Sequence, residues 1–431
     1  MAVAETLTTG LTAAMKTYYK DTFLAKFEEK LVASKMGQAQ PVPLNGGKTV
    51  DWFRYHPLAK VTAAGSEGDV GAYTYKSFKG HAIQATLETW FDQARFSELF
   101  YLTARDSKLS QAVALVGVQA GESIERETIK VLAERCIYPL HGGAITSAGV
   151  TSLTFLAEDI AVQSATAASA TTIFRLSDST MGFTTAKRKT NSLKGGWLCV
   201  SRGAGYGHVS RITAYSSVFA AAGHSLTLSV AAPEAIVSQG NTIATKVTVA
   251  SPMAATALLT SAHKMTTPLV QKAEEILFKN GAQAYEDGTY AGMIHPVVYR
   301  QLLADPMFQR AMQTGPQFGS AGMRMNEIGA WGKVRFYRMT TAARYAVTSA
   351  TYTSFSETVG NAYVTFICGR DAYGVVQLEG RGEPELNIKI GNPNDGNTEN
   401  PNNLYGTAGW KLYWKVVPLN GNFNVGIFTY A

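Results

Sequence analysis

Hydrophobic positions along this chain follow two periods, and the places where the period changes divide it into parts. Between residues 106 and 136, Leu109, Val113, Val116, Ala120, Ile124, Thr128 and Val131 recur at three- and four-residue steps, the repeat of one helical face. The spacing predicts a helix roughly 40 Å long at about 1.5 Å rise per residue. Asp106 or Ser107 is placed to cap it, and Pro139 with Gly142-Gly143 to end it. Glu122, Glu125 and Glu127 stand among basic residues on this helix and read as a solvated face. A second amphipathic helix is predicted over residues 13–36 from Tyr18, Phe23, Phe27 and Leu31. Further on, Thr267 reads as a cap before Pro268 and Gly281 as the stop of one helix, and Pro296 opens another.

Elsewhere the period shortens. The stretch "KMGQAQPVPLNGGKTVDWFRYHPLAK" has no helical repeat, carries Pro41, Pro43 and Pro57, breaks at Gly46-Gly47, and only then becomes strand-like. Alternation returns at Tyr73 and Tyr75, then at Ile83, Ala85, Leu87 and Thr89, which predicts a long two-stranded ribbon with its tip near residues 65–71. From about residue 150 to 250 a small, polar texture gives way to short strands with glycine-rich turns, read as a small β-barrel or sandwich inserted into the chain. Within it "GAGYGH" (203–208) is a hairpin turn requiring positive φ. "TYAGMIHP", "GAWGKVRFYRMTTA" and the alternating segments near the C-terminus are strands, so the class outside the insertion is α+β.

Composition narrows the picture. A chain of 431 residues exceeds one compact core, and 46% hydrophobic content excludes wholesale disorder. Only 16% of residues are charged, against about 25% in typical domains. Two readings remain open: surface buried against neighbouring subunits, or a β-rich chain high in Ser, Thr and Gly. The net charge of +7 is spread out, densest at Lys187-Arg188-Lys189, and suits sequence-blind contact with polyanions. Cys136, Cys199 and Cys368 are odd in number and widely spaced, which fits a reducing compartment. No basic-then-apolar leader and no apolar run of ~18 residues is visible, so a soluble protein made in a cytoplasm is expected.

A search for chemistry returns no catalytic constellation. Seven histidines show no i, i+4 pair and none neighbours a cysteine or acidic cluster, so zinc spacing is absent. His295 before Pro296 reads as a structural residue. "GAGYGH" lacks the Walker and dinucleotide contexts, and neither a nucleophile elbow nor HExxH is present. The loop 392–403 is oxygen-rich but departs from calcium-loop spacing. No catalytic, cofactor or metal residues are assigned, and no enzyme activity is expected.

Four stretches, in order, resemble a known family: "KMGQAQPVPLNGGKTVDWFRYHPL"; "LETWFDQARFSELF" through "GESIERETIKVLAE"; "YAGMIHPVVYRQLLAD" with "IGAWGKVRFYRM"; and "AGWKLYWKVVPLN". Their order resembles the major capsid proteins of tailed bacteriophages, which have the HK97 fold, and looks closest to the family typified by coliphage N4. The resemblance implies an N-terminal arm (1–50), an extended loop (51–95), a peripheral domain with the spine helix (96–150), an inserted β-rich domain (151–250), an axial domain and core (251–355) and peripheral C-terminal strands (356–431). It implies hexamers and pentamers forming an icosahedral shell around double-stranded DNA, a virion location, assembly in the bacterial cytoplasm, and portal, scaffolding and decoration proteins as partners. In that fold the arm and ribbon lie over neighbouring subunits. Gln38, Pro41, Pro43, Trp52, Phe53, Tyr55, Tyr73, Tyr75 and Phe78 are therefore expected to find apolar partners only after assembly. The insertion is not required by the family pattern; outward projection and a folding embellishment both remain open. Lys60, Lys76 and Lys79 lie in the ribbon, but no Lys–Asn–Glu cross-linking set can be matched to them.

Two other readings stand beside this one. A tail or adhesin component would recognise a host-surface glycan through Trp197, Tyr206 and Tyr215 of the β-rich unit. A hydrolase would need a nucleophile motif that is not found.

Overall fold

The structure is a computed structural model. It describes residues 13–56, 58, 78, 80–97, 108–135, 138–141, 145–147, 150–153, 160–161, 173–176, 197–202, 206–216, 224–228, 246–250, 263–314, 327–341, 343–345, 361–380, 382–389 and 405–431. Helices and sheets share one mixed α/β architecture. The spine forms as Lys108–Arg135, with Val113, Val116, Ala120, Ile124, Thr128 and Val131 all buried on its inner face. Its expected caps, Asp106 and Ser107, lie outside the described residues, as do Cys136 and Gly142-Gly143, while Pro139 falls within the strand Tyr138–His141.

The N-terminal helix Ala13–Lys30 runs beside the spine in the same direction, Phe23 facing Gly117 and Phe27 facing Gly121. A Cβ added at Gly117 would stand 2.7 Å from the Phe23 carbonyl oxygen, and one at Gly121 2.8 Å from that of Phe27. The bare glycines let two helix backbones touch. Tyr19, not Tyr18, enters this core; Tyr18 is 58% exposed.

The helix stops at Lys30 rather than continuing to residue 36, and the cause lies on the spine. Glu125, read from sequence as solvated, is only 2% exposed. Its carboxylate accepts from the backbone N–H of Val32 (3.2 Å), Ala33 (2.7 Å) and Ser34 (3.3 Å), and from the Ser34 hydroxyl (3.2 Å). Those donors are thereby taken from the carbonyls one turn back, and the chain restarts as a single turn, Ala33–Met36. Glu122 and Glu127 do remain at the surface, pairing with Lys30 and Lys130.

A five-stranded sheet packs on the spine. Its centre, Tyr405–Pro418, pairs antiparallel with Tyr373–Leu378 and Glu385–Lys389 along one edge and with Glu88–Ser97 along the other. Trp410, Leu412, Trp414 and Val416 alternate onto the inner face and are buried with the spine's apolar residues. Residues 88–97 thus belong to this sheet rather than to the ribbon, which ends at Thr86.

The second sheet has seven strands. Its order is Glu327–Trp331, Val334–Arg338, Tyr290–Ile294, Ala362–Cys368, Asn424–Tyr430 and Tyr138–His141, with Ala343–Tyr345 also on Ala362–Cys368. It draws strands from both sides of position 355. "GAWGKVRFYRMTTA" contributes a hairpin turning at Gly332 (φ 57°) rather than one strand. The helix Thr267–Lys279 follows Thr266, whose side chain makes no capping bond; instead Asp305 Oδ2 accepts the Thr267 N–H at 2.7 Å. Its stop is as spaced in the sequence: Gly281 follows with φ 74°.

A six-stranded sheet lies wholly within residues 160–250. Its central hairpin, Trp197–Arg202 with Val209–Ser216, turns at Gly207 (φ 84°) and is built into the body of the molecule. Trp197 is 1% exposed, with its ring 5.6 Å from Phe428. Asn422 donates to the Val200 carbonyl at 2.8 Å, and Gly421 N–H to that of Gly207 at 3.0 Å. Trp197 is therefore not an exposed stacking platform for a sugar. The glycan reading loses its largest aromatic.

Candidate assembly surface

The ribbon is Thr49–Tyr55 paired antiparallel with Gly80–Thr86, Trp52 opposite Ile83 and Phe53 opposite Ala82. Side chains alternate across such a ribbon, so it has two distinct faces. Val50 and Ala85 on one face are buried with Val42 and Val376 of the five-stranded sheet, and Trp52 packs against the same cluster. A Cβ on Gly374 would meet the Trp52 ring at 2.8 Å. Glycine there gives the indole its seat.

The other face carries Phe53, 71% exposed, and Tyr55, 66% exposed. Opposite them stand Ala82 and Gly80, too small to cover either ring. Phe78 is also exposed, at 76%. Two large aromatics on adjacent outward positions of one strand form an apolar stripe of the kind that marks an interaction surface. Tyr73 and Tyr75, with the predicted tip at 65–71, lie outside the described residues.

Gln38, Pro41 and Pro43 sit differently. All but Pro43 belong to the strand Gln38–Val42, which pairs parallel with Tyr373–Leu378 of the same chain, Gln38 beside Gly374 and Pro41 beside Gln377. Their side chains are exposed, yet Val42 is fully buried in cis. This segment does not wait for a neighbouring subunit: its backbone is already paired, and an edge strand tolerates Pro41.

Cys199 and Cys368 are free and buried, and burial pushes both thiols up to about 12, far from a reactive thiolate. Burial likewise raises the Glu125 carboxyl above its ordinary range, against the hydrogen bonds that favour its charge. Among the described residues no group of three or more His, Cys, Asp and Glu could hold a metal, and no helix is long and apolar enough to cross a membrane. A groove of about 1040 Å³ between Thr17 and Lys20 and the segment 382–388 contains the Lys20–Glu383 ion pair (3.7 Å).

Residues 201–381 match the family model described as phage capsid protein. The match begins inside the stretch expected to be an insertion and covers less than half of the chain. No curated protein matches the sequence. Among solved structures the chain is similar to the capsid of Ralstonia phage GP4, at 11% identity and TM-score 0.49, covering 94% of this chain and 90% of that one. It is also similar to the cyanophage Pam1 capsid asymmetric unit, at 12% identity and TM-score 0.48, covering 95% and 92%. For the capsid of cyanophage P-SCSP1u the values are 10%, 0.45, 91% and 86%.

Two features escaped the sequence reading. Glu125 was hidden because a carboxylate every few residues along a helix has no mark distinguishing a buried member. The meeting of His56 with His81 was hidden because it depends on strand register across the ribbon.

Proposed function

We propose that this chain is the major capsid protein of a tailed phage, with the HK97 fold and closest to the family typified by coliphage N4. The match of residues 201–381 to the phage capsid protein family carries this reading. The exposed Phe53–Tyr55 stripe and the low charge content support it. Subunits assemble as hexamers and pentamers into an icosahedral shell that encloses double-stranded DNA. Assembly takes place in the bacterial cytoplasm, with portal, scaffolding and decoration proteins as further partners. The protein works as a building block and not as an enzyme. Contact with the packaged DNA is electrostatic and sequence-blind.

Within the shell, residues 1–50 act as the arm and 51–95 as the extended loop, whose last residues, 88–95, return into the five-stranded sheet. Residues 96–150 and 356–431 form the peripheral domain, 151–250 the inserted unit and 251–355 the axial domain. Phe53, Tyr55 and Phe78 lead the contacts with a neighbouring subunit, because burying two or three large aromatics at one spot supplies an interface centre. Heterologous contacts of this kind close into rings when the rotation permits. Sedimentation velocity of the purified full-length chain over a concentration series tests the reading. Growth of fast-sedimenting closed species with concentration is expected, and a single monomer boundary throughout would overturn it.

A further inference from the structure

Spacing along the sequence offers no metal motif, yet strand pairing brings two histidines together. His81 lies opposite Arg54 in the ribbon, and His56 follows Tyr55 at the end of the facing strand. His56 Nε2 stands 3.4 Å from His81 Nδ1, the ring centroids 5.7 Å apart and the planes at 50°. At 3.4 Å the two nitrogens make a long hydrogen bond, one ring donating and the other accepting according to tautomer. The same separation matches the edge of a tetrahedron with zinc–nitrogen bonds of 2.0–2.1 Å, which is about 3.3–3.4 Å. In the tautomers protonated on the remote nitrogens, both facing nitrogens present lone pairs to one point.

The surroundings suit such a site. His81 is 9% exposed, so its ring is held by the ribbon before any ion arrives. His56 is half-buried, which leaves coordination positions open to water. Arg54, the cation on the same face, places Nη1 beside Gly207 and Asn420. We propose that His56 and His81 form a cross-strand site for one borderline divalent transition-metal ion of the zinc, nickel or copper class, with water completing the shell. Imidazole selects these ions over calcium and magnesium, which require oxygen ligands. A bound ion ties the two ribbon strands together beside Tyr55, and so fixes how the Phe53–Tyr55 face is presented. That consequence rests on the assembly reading; the binding itself does not.

The test uses the untagged full-length chain, with zinc binding followed by calorimetry and cobalt(II) binding by its visible absorption. One ion per chain is expected, calcium and magnesium giving no signal, and His56→Gln and His81→Gln each weakening affinity at least about tenfold. Absence of stoichiometric binding, or binding that survives both substitutions, overturns the site. If His81→Gln fails to fold, His56→Gln decides alone, since that ring is half-buried at a strand end. Loss of metal binding in an otherwise assembling chain removes this inference and leaves the capsid reading intact.

Discussion

The carboxylate of Glu125 accepts the backbone N–H of Ala33 at 2.7 Å, joining positions 92 residues apart. With Val32 and Ser34 donating to the same group, one side chain of the spine both ends the N-terminal helix and starts the turn that leads into the strand Gln38–Val42. The carboxylate thus latches residues 32–34 to the spine, next to the packing of Phe23 and Phe27 on Gly117 and Gly121. Replacing Glu125 by Ala leaves three backbone donors without that acceptor, each costing about 1–3 kcal/mol when buried. A loss of roughly 3 kcal/mol in denaturant unfolding is expected, with faster hydrogen exchange at residues 32–34. Unchanged exchange at those amides would refute the latch.

The contact between the two helices depends on absent side chains. Gly117→Ala puts a Cβ against the Phe23 carbonyl oxygen, a backbone atom that cannot rotate away. Overpacking of this kind costs about 1–3 kcal/mol. The thermal midpoint should fall accordingly, and Gly121→Ala should behave alike.

How much of this was readable beforehand differs from element to element. The spine's buried face followed from its three- and four-residue steps, because a helix packed along its length reports its period directly. The strand Thr49–Tyr55 was readable in "KTVDWFRYHPL", but Trp52, expected with Phe53 and Tyr55 to find partners only after assembly, packs on the opposite face against its own chain's sheet. By contrast, the cis pairing of Gln38–Val42 required a partner more than 330 positions away, and nothing local in "QAQPV" specifies it. The burial of Trp197 depended on Phe428 in the same way. Glu125 fell between: its residue type was visible, but its partners come from a different helix and its charge alone suggested water.

His295 supplies a pH dependence. Its Nδ1 accepts the Val297 N–H at 3.3 Å at the start of the helix Pro296–Leu303, and its ring lies 5.1 Å from that of Tyr363. Burial, and secondarily the Arg344 guanidinium, lower its pKa from the ordinary 6.5. The unfolded chain therefore takes up a proton first as the solution is acidified. The stabilising contribution is complete above about pH 6.5, is lost as pH falls through the folded-state value, and changes no further below it. His295→Asn keeps a capping oxygen but does not titrate, so its unfolding midpoint should lose part of the acid-side slope. An identical slope in both proteins would rule His295 out as the source.

Substitutions at Phe53 and Tyr55 test the proposed assembly role apart from folding. Both rings face outward, so Phe53→Ser with Tyr55→Ser should change unfolding free energy by no more than about 0.5 kcal/mol per site. On the proposed reading, assembly should be lost.

Negative-stain electron microscopy of the purified full-length chain at high concentration, beside this double variant, tests the central claim most directly. Closed shells, tubes or rings of five and six subunits from the natural sequence, and dispersed monomers from the variant, are the predicted result. A natural chain that stays monomeric at every concentration, or a variant that builds the same particles, would contradict the account.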